Sequence, residues 1–359
     1  MGVHEHSGWR EVKNLLCLRL DSLGDVLMTT PAIHALRQGL PEAKITLLTS
    51  PSGLSAVEYN PDLDGIWAYQ APWIKWPNVV EDPNRELQLI EELRNHHFDA
   101  AVIFTVYSQS PLPAALMCYL GDIPKRLAYC HENPYLLLTD WVKDKEPKEF
   151  VMHEVQRQLN LVSSIGFGTQ DVGLVFEVQE EFKKSARQKL SRLKLDLKKP
   201  WVVIHPGCTA PSRTYPWEKY AQVADGLIDR FGWQVVFTGK KDEDGLVNKI
   251  QSQMQNKSFS LSGKLNIQEL AEVLRLTQLY IGNNTGPSHL AAAMKTPTVV
   301  LYALINNQHT PWGNDSKILN HEVPCKNCLK SLCPLGHNDC LQKVDPEEVI
   351  NAAEALAND

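Results

Sequence analysis

The chain has 359 residues, of which 43 % are apolar, and carries a formal net charge of −6. That length suits two domains rather than one. The negative balance and the lack of any basic tract argue against nucleic acid as a partner, and no apolar run reaches the length of a membrane span. Residues 1–13 are polar and lack the apolar segment of a signal peptide, which predicts a cytoplasmic protein. The eight cysteines are then expected in a reducing compartment.

Residues 14–20 (NLLCLRL) read as a buried strand. A turn, Asp21-Ser22-Leu23-Gly24-Asp25, precedes helical spacing over 26–38, with Pro31 expected to kink the first turns. Residues 44–49 (KITLLT) are the next strand. This is a βαβ unit whose first loop lies at a strand's carboxyl end, where open α/β sheets bind ligands. Gly24 permits a tight loop and puts Asp25 at or near the helix start. Asp25 then has two uses: an N-cap accepting backbone N–H bonds, which is commoner for such a loop, or a general base. Strands are predicted at 65–69, 99–105 and 126–129, and helices at 86–95 and 112–119. Their alternation predicts a parallel sheet. Trp67, Trp73 and Trp76 cluster in a Pro-rich stretch, suited to core or lid packing or to an acceptor loop. His153-Glu154-Val155-Gln156-Arg157 fails as a zinc-protease motif, since Arg157 replaces the second His. It is expected to open a polar helix over 153–165.

Residues 172–178 are strand-like, and 180–199 read as a surface helix with solvated charges beside a domain junction. A second α/β unit opens with the strand 201–205 (WVVIH). The polar loop 206–216 offers the Thr209 hydroxyl and the Arg213 fork, both suited to phosphate oxygens. A helix over 217–231 and a strand over 233–238 follow. Asp242-Glu243-Asp244 falls where a helix begins, so capping and dipole pairing explain it without a metal. Short strand and helix signals occupy 259–261 and 267–276. Then comes YIGNNTGPSHLAAAMKTPTVVLY (280–302): strand, polar turn, helix, strand. Pro287 suits a first helical turn. The turn at Asn284-Thr285-Gly286 would aim helix N–H groups at one spot, an anion site, although any βαβ connection has such a turn. Near the end, Cys325, Cys328, Cys333 and Cys340 could hold a structural zinc, with His337 as a fifth ligand. The alternative is four small thiols, because only one pair has the C-x2-C spacing.

These stretches together resemble glycosyltransferase family nine, the bacterial ADP-heptose:lipopolysaccharide heptosyltransferases. RLDSLGDVLMTTPAIHALRQGLPEAKITLLTS (19–50) is similar to that family's first signature, HPGCTAPSRTYPWEKYAQVA (205–224) to its donor-phosphate loop, and SGKLNIQELAEVL with the 280–302 stretch to its donor core. The resemblance covers most of the chain. It implies an α/β GT-B fold: two Rossmann-like domains with parallel sheets facing across a cleft. Residues 1–180 would bind the acceptor and 181–345 the nucleotide-sugar donor. A helix over 346–359 would pack back on the first domain. It implies an inverting transfer of heptose, or a related sugar, from an ADP-sugar to a lipopolysaccharide core or other glycan. Asp25 would be the base, against the commoner cap, and Gly24 would shape its loop. Donor-binding residues would be Thr209, Arg213, Glu243 at the ribose, Leu265 at the adenine, and Asn284, Thr285, Gly286 and His289. Arg213 stands where the family has Lys, and Asn284 where it usually has Asp. No metal cofactor is required. A glycolipid acceptor would place the enzyme at the cytoplasmic face of the inner membrane. Two alternatives remain open on the sequence: a nucleotide-sugar epimerase of GT-B fold, and an inactive paralogue that binds nucleotide or glycan.

Overall fold

The computed structural model describes residues 6–74, 82–196, 198–303, 308–328 and 330–357. The chain divides into two units, Met1–Glu177 and Val178–Asp359. In the first unit the strands are β1 (Asn14–Arg19), β2 (Lys44–Thr49), β3 (Gly65–Ala68), β4 (Ala100–Ile103), β5 (Lys125–Cys130) and β6 (Asp140–Lys143). Its helices are α1 (Leu23–Gly39), α2 (Pro51–Val57), α3 (Pro83–His96), α4 (Leu112–Leu120) and α5 (Glu154–Ser163). The second unit runs α6 (Glu180–Arg192), β7 (Trp201–His205), α7 (Trp217–Phe231), β8 (Gln234–Phe237), α8 (Asp244–Gln253), β9 (Phe259–Ser260) and α9 (Ile267–Leu276). It continues with β10 (Leu279–Asn283), α10 (Gly286–Ala293), β11 (Thr298–Leu301), β12 (Ser316–Leu319), α11 (Asp339–Gln342) and α12 (Pro346–Ala357).

Each unit holds one six-stranded sheet, β3-β2-β1-β4-β5-β6 and β12-β11-β10-β7-β8-β9. Every strand pair is parallel. Both orders are the doubly wound 3-2-1-4-5-6 pattern, which reverses direction at β1/β4 and at β7/β10. The strands beside each reversal are near-continuous apolar runs because helices cover both faces of the sheet. In β1, Leu15, Leu16, Cys17 and Leu18 are all buried. In β7, Trp201, Val202, Val203 and Ile204 are too.

Several elements depart from the sequence reading. Residues 172–178 form no strand; they are extended chain at the unit boundary, where the Val175 N–H donates to Thr30 Oγ1 at 2.9 Å. The charges of α6 are not all solvated: Lys189 and Arg187 pair with Glu269 and Glu272 of α9. α5 is the expected polar helix, and it buries polar side chains, Glu154, Arg157 and Gln158. The 346–359 helix, expected to pack on the first domain, belongs to the second unit. Val349, Ile350, Ala353 and Leu356 of α12 join the core of the second unit with Leu227, Val299 and Leu301. Burial of each of the larger side chains contributes about 1.5–3 kcal/mol. Trp67 packs edge-on against His96 and Phe98, and Trp73 edge-on against Tyr69. Trp76 lies outside the described residues.

Candidate active site

In the first unit, the loop after β1 is pinned from β2: Thr49 Oγ1 donates to the Arg19 carbonyl at 2.8 Å, and Ser50 Oγ donates to that of Asp21. Ser22, not Asp25, is the N-cap of α1. Asp25 stands three residues on. Its Oδ2 accepts from the Ser22 N–H at 3.2 Å and from Ser22 Oγ at 2.6 Å. These bonds fix the carboxylate while its side chain keeps 19 % exposure. Beneath it, the fully buried Arg19 faces three carboxylates: Glu154 Oε1 at 2.8 Å, Asp21 Oδ2 at 2.9 Å and Asp25 Oδ1 at 3.7 Å. Gln158 Nε2 donates to the same Glu154 oxygen at 2.6 Å. One cation against three acids leaves local excess negative charge. Burial pushes the Asp21 carboxyl up; Arg19 opposes this, and Asp25 adds to it. An acid so placed is suited to receive a proton or to accept bonds from hydroxyls.

In the second unit, the loop after β7 and the turn after β10 are tied by one amide. Asn283 Oδ1 accepts from the Tyr215 N–H at 3.1 Å, and its Nδ2 donates to the Pro206 carbonyl at 2.8 Å. Ser288 Oγ donates to the Asn283 carbonyl at 2.6 Å, holding the start of α10 to the strand end. Thr285 is the extended N-cap of α10, Gly286 and Pro287 begin the helix, and His289 is buried one turn on. Asn284 is buried, and its Oδ1 finds no hydrogen-bond partner among the described residues. Thr209 is exposed and Arg213 half-buried. The Arg213 Nε is buried, and no hydrogen bond meets it among the described residues. A buried cationic donor left unmet is what an anion satisfies.

Glu243 closes the same loop from the side. Its Oε2 accepts from the Lys240 N–H at 2.7 Å and lies 3.7 Å from His205 Nε2. Gly207 makes room for it, since a Cβ there would fall 2.1 Å from Glu243 Oε1. His205 Nδ1 lies 3.0 Å from Thr238 Oγ1. Burial, helped by Lys240, lowers its imidazole to about 4, so the ring is neutral. Leu265 sits half-buried in the turn between β9 and α9. The second unit thus gathers the 206–213 loop, Glu243 and the 284–289 turn around one sheet reversal.

Sequence reasoning missed Arg19, Asp21, Gln109 and Glu154. Gln109 Nε2 donates to Asp21 Oδ1. The available signal was the charge pair Arg19 and Asp21 closing an otherwise apolar strand. The cysteine cluster is also brought together. Cys325, Cys328, Cys333, Cys340 and His337 line one small cavity with Ser212, and Cys325 Sγ lies 3.7 Å from His337 Nε2. Ser212 Oγ donates to the Lys330 carbonyl at 2.8 Å, tying the phosphate-type loop to this segment. Among the described residues, no three His, Cys, Asp or Glu side chains are grouped closely enough to hold a metal.

A family model described as glycosyltransferase family 9 (heptosyltransferase) matches residues 86–338, more than half of the chain. The chain belongs to that family. This family 9 protein is 27 % identical over 349 residues to lipopolysaccharide heptosyltransferase 3 of Escherichia coli K12, covering 93 % of this chain and 95 % of that one. The structure of a glycosyl transferase family 9 protein from Veillonella parvula superposes with a TM-score of 0.79, at 23 % identity over 96 % of this chain and 97 % of that one. That of E. coli ADP-heptose lps heptosyltransferase II does so at 0.74, with 21 % identity over 96 % and 98 %. The fold of the family 9 protein is therefore the α/β GT-B class that the resemblance implied, with one parallel Rossmann-like sheet per unit. Among its described residues, no helix is long and apolar enough to cross a membrane.

Proposed function

We propose that this family 9 glycosyltransferase moves a heptose, with inversion, from ADP-heptose to a lipopolysaccharide core or another glycan. The observation that carries the reading is the opposite chemistry at two equivalent sheet reversals. The first has a fixed, partly exposed carboxylate, Asp25. The second has Arg213, whose Nε meets no hydrogen-bond partner among the described residues, in the loop that Asn283 holds through the Tyr215 N–H. The names of two relatives support the choice of sugar and acceptor, one being a lipopolysaccharide heptosyltransferase and the other an ADP-heptose enzyme.

In this reading Asp25 takes the proton of the acceptor hydroxyl as that oxygen attacks the anomeric carbon. The transition state is oxocarbenium-like, as in glycoside hydrolysis. Negative charge grows on the leaving diphosphate. Arg213, Thr209 and the helix start at Thr285 and Gly286 stabilise it, with no metal cofactor required. Glu243 takes the ribose, Leu265 the adenine, and Asn284 and His289 line the donor pocket. The thiol cluster has a structural part, bracing the loop through Ser212; metal analysis of the purified protein tells bound zinc from free thiols. A glycolipid acceptor sets the enzyme at the cytoplasmic face of the inner membrane.

The test is calorimetric titration with ADP, UDP and GDP in metal-free buffer. ADP is expected to bind in preference, and Arg213→Ala to abolish that binding. Preference for UDP or GDP discards the heptose donor, and no binding of any of the three discards the transferase reading.

A further inference from the structure

The His153–Arg157 motif, which fails as a metal site, opens a helix with a buried polar row: Glu154, Arg157 and Gln158. Burying three such side chains together is costly unless each is paired. Here each is paired with a strand end or the loop beyond it. Arg157 Nη1 and Nη2 donate to Glu146 Oε2 and Asp144 Oδ2, both at 2.6 Å, in the loop after β6. Arg157 Nε and Gln158 Nε2 donate to the Thr105 carbonyl after β4, at 2.9 and 3.1 Å. Glu154 Oε1 accepts from Arg19 Nη1 at the end of β1. α5 therefore ties together the carboxyl ends of β1, β4 and β6.

The tie to β1 bears on the base. Arg19 divides one charge among three acids, and its nitrogens do so unequally. Nη1 is on Glu154 and Nε faces Asp21, both within hydrogen-bond distance. Nη2 is buried, meets no hydrogen-bond partner among the described residues, and stands 3.7 Å from Asp25 Oδ1, just out of reach. An arginine without rivals would close on that carboxylate and lower its pKa by about 1–3. A carboxylate so held takes a proton from a hydroxyl less readily.

We propose that Glu154 is a positioning residue for Asp25: by engaging Arg19 it keeps that cation off the base and preserves the base's affinity for a proton. The inference rests on the transferase reading and deepens it, since it concerns how strong the base is. The charged groups that meet the Arg19–Asp25 pair are Asp21 in the loop after β1 and Glu154 from α5. Arg157 lies on the same helix and is held by Asp144 and Glu146. The negative charge of Glu154 acts on Asp25 in the same direction as its hold on Arg19. Asp21 is the second rival for the guanidinium, and Ser22 fixes the other oxygen of Asp25.

The test reads the base itself. The full chain with isotope-labelled aspartate is titrated by NMR, and the Asp25 carboxyl signal is assigned through Asp25→Asn. The pH dependence of kcat/KM is measured in parallel with ADP-heptose and purified lipopolysaccharide core. Glu154→Gln keeps the shape and an acceptor oxygen for Arg19 but removes the charge. Its Asp25 midpoint and the acidic limb of kcat/KM are expected to fall together by about one pH unit. The plateau of kcat/KM should drop roughly three- to tenfold, with calorimetric ADP affinity unchanged. Asp144→Asn loosens the Arg157 pair on the same helix; it should lower thermal stability and leave the Asp25 midpoint in place. Where Glu154→Gln does not fold, Asp21→Asn removes the other rival and carries the test in the same direction. An unmoved or raised midpoint in the folded variant, or an equal shift in Asp144→Asn, overturns the assignment. A midpoint that falls as expected in a protein whose native form transfers no sugar removes the transferase reading instead, while the hold of Glu154 on Arg19 stands.

Discussion

The two units share a strand order and a reversal point, yet they fill that point with opposite chemistry. At β1/β4 the chain buries an arginine among three acids. At β7/β10 it places an amide clamp at Asn283 and a neutral imidazole at His205, with two cations, Arg213 and Lys240, and a single carboxylate, Glu243. The same topology therefore sets only where a ligand sits. The charge at the reversal decides whether the site receives a proton or holds an anion.

The largest effect is expected where this contrast is removed outright. Asp25→Asn keeps the size of the side chain and its bond from Ser22 but cannot take a proton. Transfer should fall by about 10²–10⁴-fold, with calorimetric ADP affinity unchanged. Near-normal turnover would mean that the first unit supplies no base.

Next is the ionic cluster itself. Arg19→Met leaves three acids without their cation, a loss of about 3–5 kcal/mol in denaturant unfolding of the first unit. The loss should shrink as pH falls and the acids protonate. A loss that is the same at low and neutral pH would show that packing, not charge, dominates there.

The smallest effect concerns the second unit. The folded His205 titrates at about 4, below its ordinary 6.5. The unfolded chain therefore binds the proton first. Its contribution is whole above about pH 6.5 and is lost as pH falls towards 4, roughly 3 kcal/mol in all. His205→Asn should flatten that part of the stability profile. An identical profile in the variant would remove the histidine from the comparison.

The contrast also explains what could be read from sequence. The buried central strands and their helices were legible because periodicity is local: 44–49, 201–205, 217–231 and 267–276 coincide with β2, β7, α7 and α9. β6 and β12 were missed. They are edge strands, and Asp140-Trp141-Val142-Lys143 carries too much charge to read as sheet. Residues 172–178 have strand composition, but as a connector they gain no partner strand. Among site residues, the Gly24-Asp25 and Asn284-Thr285-Gly286 turns carried local signals. The Arg19–Glu154 pair spans 135 positions, and no spacing rule reaches that far. Glu154 was visible only as part of a failed metal motif.

The position of α12 in the second core bears on how the chain is made. On a ribosome, the first unit has its whole core once residue 177 has emerged and can fold while synthesis continues. The second unit cannot close: the side chains that fill the space against α7 and β11 are Val349, Ile350, Ala353 and Leu356. Until α12 leaves the exit tunnel, the apolar flank of that sheet stays open. A pause or premature stop before residue 346 would release a finished first unit trailing an unfinished, aggregation-prone second one.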